Sequence, residues 1–141
     1  RVGGRAAESE RTFFIGEPTK EQEGHYAVAY EAQRIGTAAL IAGNTCASSD
    51  NIAQAYIDKQ GMKDNAFHRV GHGMGIMFHE PPWIEAGDLT ILEPGMIASS
   101  EPSITIQDFA GYRIADTVLV TKEGPDSMTK YPRKIDEIVI S

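Results

Sequence analysis

Cysteine is almost absent. Cys46 stands alone among 141 residues, so the chain has neither an internal disulfide nor a thiolate cluster for zinc. It lies in a Gly-Asn-Thr-Cys turn and reads as a small residue packed at a helix junction rather than a reactive thiol. Long apolar runs are missing too: none approaches the roughly 20 residues that a membrane-spanning helix needs. Positive charge is scarce, with 13 Lys and Arg against 20 Asp and Glu, and the net charge of −7 argues against nucleic acid or an anionic membrane as partner. What is present, 41% apolar and 23% charged residues, is ordinary for one globular domain, and a cytoplasmic protein with a small soluble partner is the expectation. The first residue is Arg1 rather than Met, so the sequence is expected to be a piece of a longer chain.

Residues 11–15, Arg-Thr-Phe-Phe-Ile, predict a strand closed by Gly16 and Pro18. Thr19 with Gln22 forms a capping-box pattern, and Val28, Ala32, Ile35 and Ala39 recur at helical spacing until Gly43 offers a C-cap. Ser49 or Asp50 is expected to cap a second helix carrying Ile52, Ala53, Tyr56 and Ile57 to a stop at Gly61. From residue 66 the texture becomes β-type, with strands expected at 67–70, 96–100, 104–106, 112–114 and 117–121, and with 131–141 as an extended tail. Helices in one block and strands in another predict an α+β fold in which both helices cover one face of an antiparallel sheet.

Chemistry concentrates in three windows. In His68-Arg-Val-Gly-His72-Gly-Met-Gly followed by His79-Glu80, three of the four histidines fall close together. On one strand His68 and His72 would share a face, and the glycines would let backbone approach a ligand or metal. A lone histidine is most often structural; a cluster of imidazoles, able to ligate a metal or hold a proton near neutral pH, favours a functional pocket. Glu101 ends an apolar stretch just before Pro102, where a carboxylate can project into a cleft, whereas Glu93-Pro-Gly reads as a solvated turn. In Gly111-Tyr-Arg-Ile-Ala-Asp116, Arg113 and Asp116 are three apart and so point to opposite faces of an unbroken strand.

Taken in order, Glu10-Arg-Thr-Phe-Phe-x-Gly-x-Pro, Gly71-His72-Gly-x-Gly, His79-Glu80-x-Pro, Leu92-x-Pro-Gly-Met96, Glu101-Pro and Gly111-x-Arg113-Ile-x-Asp116-Thr-Val-Leu-Val resemble the pita-bread family. This is the peptidase M24-like group of Xaa-Pro aminopeptidases, prolidases, methionine aminopeptidases and creatinase. The resemblance implies a curved antiparallel sheet covered by helices, of which residues 1–141 would form the C-terminal part, completed by a missing N-terminal half or by a homo-oligomer. In the family's metallopeptidases two Asp, one His and two Glu hold two divalent ions, often manganese, cobalt or zinc. His72 matches the histidine, Glu101 the first glutamate, and Glu8 stands where the second aspartate belongs. Ala115 occupies the place of the second glutamate, and a methyl group cannot coordinate a cation. The first aspartate would precede Arg1.

Creatinase is the relative that keeps the fold and the Glu-Arg-Thr motif without the metal set. Glu10 and Glu101 match its substrate-binding glutamates and His72 a pocket histidine, while Ala6 and Trp83 depart from its tyrosine and arginine. The leading expectation is therefore a hydrolase of an amide-type C–N bond in a small peptide or amino-acid derivative, creatinase-like, with reduced or absent metal dependence. In it His72 and His79 would donate hydrogen bonds to a developing oxyanion, His68 would exchange a proton with the leaving nitrogen, and Glu10 and Glu101 would bind a cationic substrate group. Where a metal is retained, His72, Glu101 and Glu8 are its candidate ligands. The alternatives are a metal-dependent Xaa-Pro aminopeptidase or dipeptidase, and a non-catalytic binding module on the same fold.

Overall fold

The Thr19 hydroxyl accepts from the Gln22 amide at 3.2 Å, and the Gln22 side chain accepts from the Thr19 amide at 2.8 Å. Two otherwise orphaned donors are thereby satisfied, and helix α1 (Lys20–Ala38) starts where this reciprocal cap stands. It appears so in a computed structural model that describes residues 3–140. Helix α1 closes at Ala39, and Gly43, with φ +96°, belongs to the turn beyond rather than to the cap. Helix α2 (Cys46–Lys59) begins earlier than its sequence signals suggest, because Thr45 caps it. Asp50 instead accepts the Val70 amide at 2.9 Å, and the Ser49 hydroxyl donates to the Gly36 carbonyl at 2.7 Å. These two polar residues tie α2 to its surroundings and do not start it.

The strands are β1 (Ser9–Arg11), β2 (Phe14–Ile15), β3 (Gly71–Gly73), β4 (Glu80–Ile84), β5 (Ile97–Ser100), β6 (Ser103–Ile106), β7 (Ala110–Leu119), β8 (Asp126–Ser127) and β9 (Val139–Ile140). Seven of them form an antiparallel sheet ordered β1-β7-β5-β3-β4, with β6 and β8 also paired to β7. The remaining two, β2 and β9, pair in parallel. The expected strand at 11–15 is thus two short ones, and the expected pair at 112–114 and 117–121 is one ten-residue strand at the centre of the sheet. Residues 67–70 are not a strand: the ladder starts at Gly71, so His68 lies on the loop before it. The closing tail contains a 3-10 turn, Ile135–Glu137, before β9.

Both helices pack on the same side of the sheet. Tyr26, Ala29 and Ala32 of α1 meet Ile104, Tyr112 and Ile114, and Ala53 of α2 meets Val70, Ile84, Ala98 and Val118. Each buried Ile, Leu or Val contributes about 1.5–3 kcal/mol of transfer free energy, which fixes the sheet against the helices. Along β7 the buried apolar residues Tyr112, Ile114 and Val118 alternate with Arg113, Ala115 and Thr117. The latter three therefore line the face opposite the helices, where the site lies.

Candidate active site

Strand β3 carries His72 into the interior, and the two glycines beside it are required by space. A Cβ on Gly71 would overlap the Ser99 carbonyl oxygen, and one on Gly73 would come within 2.6 Å of the Pro81 carbonyl oxygen. The His72 amide donates to the Ser99 hydroxyl at 3.0 Å, and that hydroxyl donates to Glu101 Oε1 at 3.2 Å. Glu101, in the turn from β5 to β6, is anchored by its own amide on the Val70 carbonyl at 2.7 Å. Glu8, immediately before β1, donates its amide to Thr117 Oγ1 at 2.8 Å, and that hydroxyl donates back to the Glu8 carbonyl at 2.8 Å.

These anchors bring three ligand-type groups together. His72 Nε2 lies 3.1 Å from Glu101 Oε1 and 3.3 Å from Glu8 Oε2, with side-chain exposures of 0%, 8% and 6% respectively. The other ring nitrogen, Nδ1, faces the Gly73 carbonyl at 2.9 Å. Although two carboxylates flank Nε2, neither is aligned for a hydrogen bond, and Nε2 and Glu8 Oε2 are both buried without a partner. Burial alone would lower the His72 pKa, but the Glu101 and Glu8 carboxylates outweigh it and lift the ring to about 9. Burial likewise resists charge on Glu101, yet His72 and Arg113 hold its carboxyl below the ordinary value. With one nitrogen turned to two carboxylates and the other to a carbonyl, His72 has no nitrogen to offer a substrate oxyanion. This setting suits the candidate ligand role better than the donor role.

Arg113 organises the rim. Its Nη1 bridges Glu10 Oε2 at 3.2 Å and Glu101 Oε2 at 3.3 Å, while Nη2 lies 2.6 Å from His68 Nε2. A guanidinium can only donate, so His68 Nε2 is an acceptor and Nδ1 carries the ring proton, donated to the Arg69 carbonyl at 2.6 Å. The Ser103 hydroxyl, 2.9 Å from the same Nε2, completes the hold. Both nitrogens of His68 are thus occupied, an arrangement that suits holding Arg113 more than exchanging a proton with a leaving group. Nor do His68 and His72 share a strand, since only the second lies on β3.

His79 packs against His72 with ring centroids 4.1 Å apart and the rings tilted by 48°, and it lies at the surface. With His68, Arg69, Glu101 and Arg113 it lines a polar cleft of about 210 Å³. Glu10 sits at its edge, its side chain 44% exposed. The candidate residues of the sequence therefore converge on one region, in a buried layer (Glu8, His72, Glu101) and an outer one (His68, His79, Glu10). Sequence reasoning missed the bridging role of Arg113 and the anchors Ser99, Ser103 and Thr117, whose hydroxyls carry no sequence signature. Arg113 could have been found from its period-two relation to Ala115 and Thr117. The register opposes Glu10 to Ala115 and so puts the alanine methyl on the site face, between Arg113 and Thr117.

The buried layer suits a metal. Glu8, His72 and Glu101 each offer an atom within 4.8 Å of the others, and two of those atoms lack any other partner. One imidazole with two carboxylates is a donor set for zinc, manganese or cobalt.

Comparison with known proteins shows the family. Residues 1–122 match metallopeptidase family M24. The Xaa-Pro dipeptidase of Pyrococcus furiosus is 38% identical over 125 residues, covering 89% of this chain and 36% of that protein. The Xaa-Pro dipeptidase of Lactobacillus helveticus is 39% identical over 137 residues, covering 97% and 37%. Among solved structures, the Xaa-Pro dipeptidase from Bacillus anthracis superposes with a TM-score of 0.93 at 35% identity, covering 97% of this chain and 38% of that one. The chain thus spans somewhat over a third of the length of these relatives and shares their pita-bread fold. By sequence match and by fold, it belongs to metallopeptidase family M24.

Proposed function

We propose that the protein containing this chain is a metal-dependent peptidase acting on Xaa-Pro dipeptides. The observation that carries the proposal is the buried group Glu8, His72 and Glu101, whose ligand atoms lie within 4.8 Å of one another and include two without a hydrogen-bond partner. The names of its relatives supply the substrate class. A divalent ion held there would polarise a substrate carbonyl and acidify water. The rest of the work falls to the chain's own residues. His79, exposed in the cleft, donates to the oxyanion as the carbonyl is attacked. Glu10, at the cleft edge, holds the substrate ammonium, and Arg113 with Arg69 faces its carboxylate. His68 keeps Arg113 in place.

The creatinase-like, metal-free reading rests on Ala115, together with His72 held between two carboxylates that raise its pKa. The identities of the relatives favour the peptidase. Exposed Phe67, Ile76 and Met77, at 68%, 67% and 60%, belong to the same proposal as surface for further chain or a second copy to cover. No helix among the described residues is long and apolar enough to cross a membrane.

The test is an assay of the full gene product, stripped with chelator and reloaded with manganese, cobalt or zinc, on Ala-Pro, Leu-Pro and creatine. Proline release that disappears on stripping and returns on reloading is expected. Metal-independent cleavage, or no cleavage of any Xaa-Pro dipeptide, would overturn the proposal.

A further inference from the structure

We infer that Arg69 is a specificity-determining residue of the cleft that binds a free carboxylate on the substrate, an inference that rests on reading this site as a peptidase centre. Arg69 sits on the loop before β3, whose backbone is tied down on both sides of it. The Gln54 side chain donates to the His68 carbonyl at 3.2 Å, and the Val70 amide donates to Asp50 at 2.9 Å. The guanidinium carbon lies over the Trp83 ring, 4.6 Å from its centroid, where the ring attracts the cation. Trp83 stands opposite His72 in the register of β3 and β4, and its neighbour Ile84 is buried with the helices, so alternation puts the indole on the site face.

Among the described residues two arginines line the cleft, and they differ in what they have left to give. Arg113 is committed, with Nη1 on Glu10 and Glu101 and Nη2 on His68. In Arg69 only Nε is used, donating to the Gly71 carbonyl at 3.1 Å, and its two terminal nitrogens have no hydrogen-bond acceptor among the described residues. The acid within reach, Glu85, stands 3.8 Å from Nη1 with a side chain 42% exposed, a loose ion pair that solvent weakens. A guanidinium is a planar fork that matches a carboxylate with two parallel N–H donors. Because the same cleft holds His79 and Glu101, a carboxylate seated on Arg69 belongs to the molecule being cleaved. An Xaa-Pro dipeptide offers that group in two ways, as its C-terminal carboxylate or as an acidic Xaa side chain.

The experiment uses the full gene product stripped with chelator, so that ligands bind without being cleaved, and calorimetric titration with two matched pairs: Ala-Pro against Ala-Pro amide, and Asp-Pro amide against Asn-Pro amide. A preference of about 10-fold or more for the acid is expected in one pair, as for a hydrogen bond to a charged group. The first pair assigns the bound group to the C-terminus and the second to the Xaa side chain. The preference is expected to vanish in Arg69→Gln and to shrink in Arg69→Lys; the side chain is 34% exposed, so the fold should tolerate both. After reloading with Mn(II), the variants should show a raised KM for the preferred ligand with kcat kept. Equal affinities within both pairs in the wild type, or a preference that survives Arg69→Gln, would overturn the inference. Carboxylate preference without Xaa-Pro hydrolysis on reloading would overturn only the peptidase. Hydrolysis without that preference would overturn only the role of Arg69.

Discussion

Asp116 and Arg11 meet at 2.7 Å with side chains only 1% and 3% exposed, on the sheet face turned away from the cleft. Asp116 also accepts from Arg133 at 2.8 Å and from Gln33 at 3.1 Å, so one carboxylate joins β1, α1, β7 and the C-terminal segment. Removing one partner of a buried pair strands the other charge, at a cost of about 3–5 kcal/mol. Asp116→Ala is therefore expected to lower the denaturation midpoint of the full protein sharply, and Asp116→Asn, which keeps an acceptor oxygen, to lower it less. Equal midpoints for the wild type and the alanine variant would refute this role.

Gly71→Ala should be damaging for lack of space, because its methyl would overlap the Ser99 carbonyl oxygen and push β3 from β5. The expected cost is about 1–3 kcal/mol, with displacement of His72 on β3. Gly24→Ala, exposed in α1 with open space where the methyl would stand, should instead stabilise by roughly 0.5–1 kcal/mol. Thermal melts of the two variants moving in the same direction would contradict this difference in packing.

His68 separates a positioning role from proton transfer. His68→Ala releases Arg113 and should cut kcat/KM roughly 10–100-fold, as for other residues that orient a metal-site neighbour. His68→Gln, which can still accept from Arg113, should recover much of that loss. In both variants the pH-rate profile should keep its limbs; a limb that vanishes with the imidazole would mean that His68 does move a proton.

Burial raises the Tyr26 phenol to about 12, against the pull of the Arg11 and Arg133 charges. Its hydroxyl donates to the Arg133 carbonyl at 2.7 Å. Since the folded value lies above the ordinary value of 10.0, Tyr26 contributes stability that is complete below pH 10 and is lost as pH rises towards 12. Unfolding followed against tyrosinate absorbance should show this alkaline loss, and Tyr26→Phe should remove it. An unchanged alkaline profile in the phenylalanine variant would count against the assignment.

Burial, with Asp88 adding its charge, pushes the Cys46 thiol up to about 11. A disulfide reagent at neutral pH should leave it unmodified in the folded protein and titrate one thiol after denaturation. Rapid labelling of the native protein would show the thiol to be accessible and ionised.

Local rules account for what was legible along the chain. Thr19 and Gln22 are three residues apart, so the start of α1 could be read directly. Period two on β7 sufficed to separate Arg113 from Asp116, and the two indeed serve opposite faces. Local rules also misled: Ser49 and Asp50 look like caps, but their side chains are spent on Gly36 and Val70. Strand β4 was invisible because Glu-Pro-Pro-Trp-Ile carries two prolines, and only its pairing with β3 makes it a strand.

By itself, the sequence determined which side chains exist to do chemistry, the helix-then-strand order, and the replacement of an expected carboxylate by Ala115. Tertiary structure alone decided that Glu8, His72 and Glu101 share one buried point, that His68 faces Arg113, and that the Ala115 methyl faces the same basin. The reason is physical: capping and alternation act over a few residues, whereas the register between β1, β7, β5 and β3 joins segments far apart in the chain, and it is set by helices burying the opposite face of the sheet.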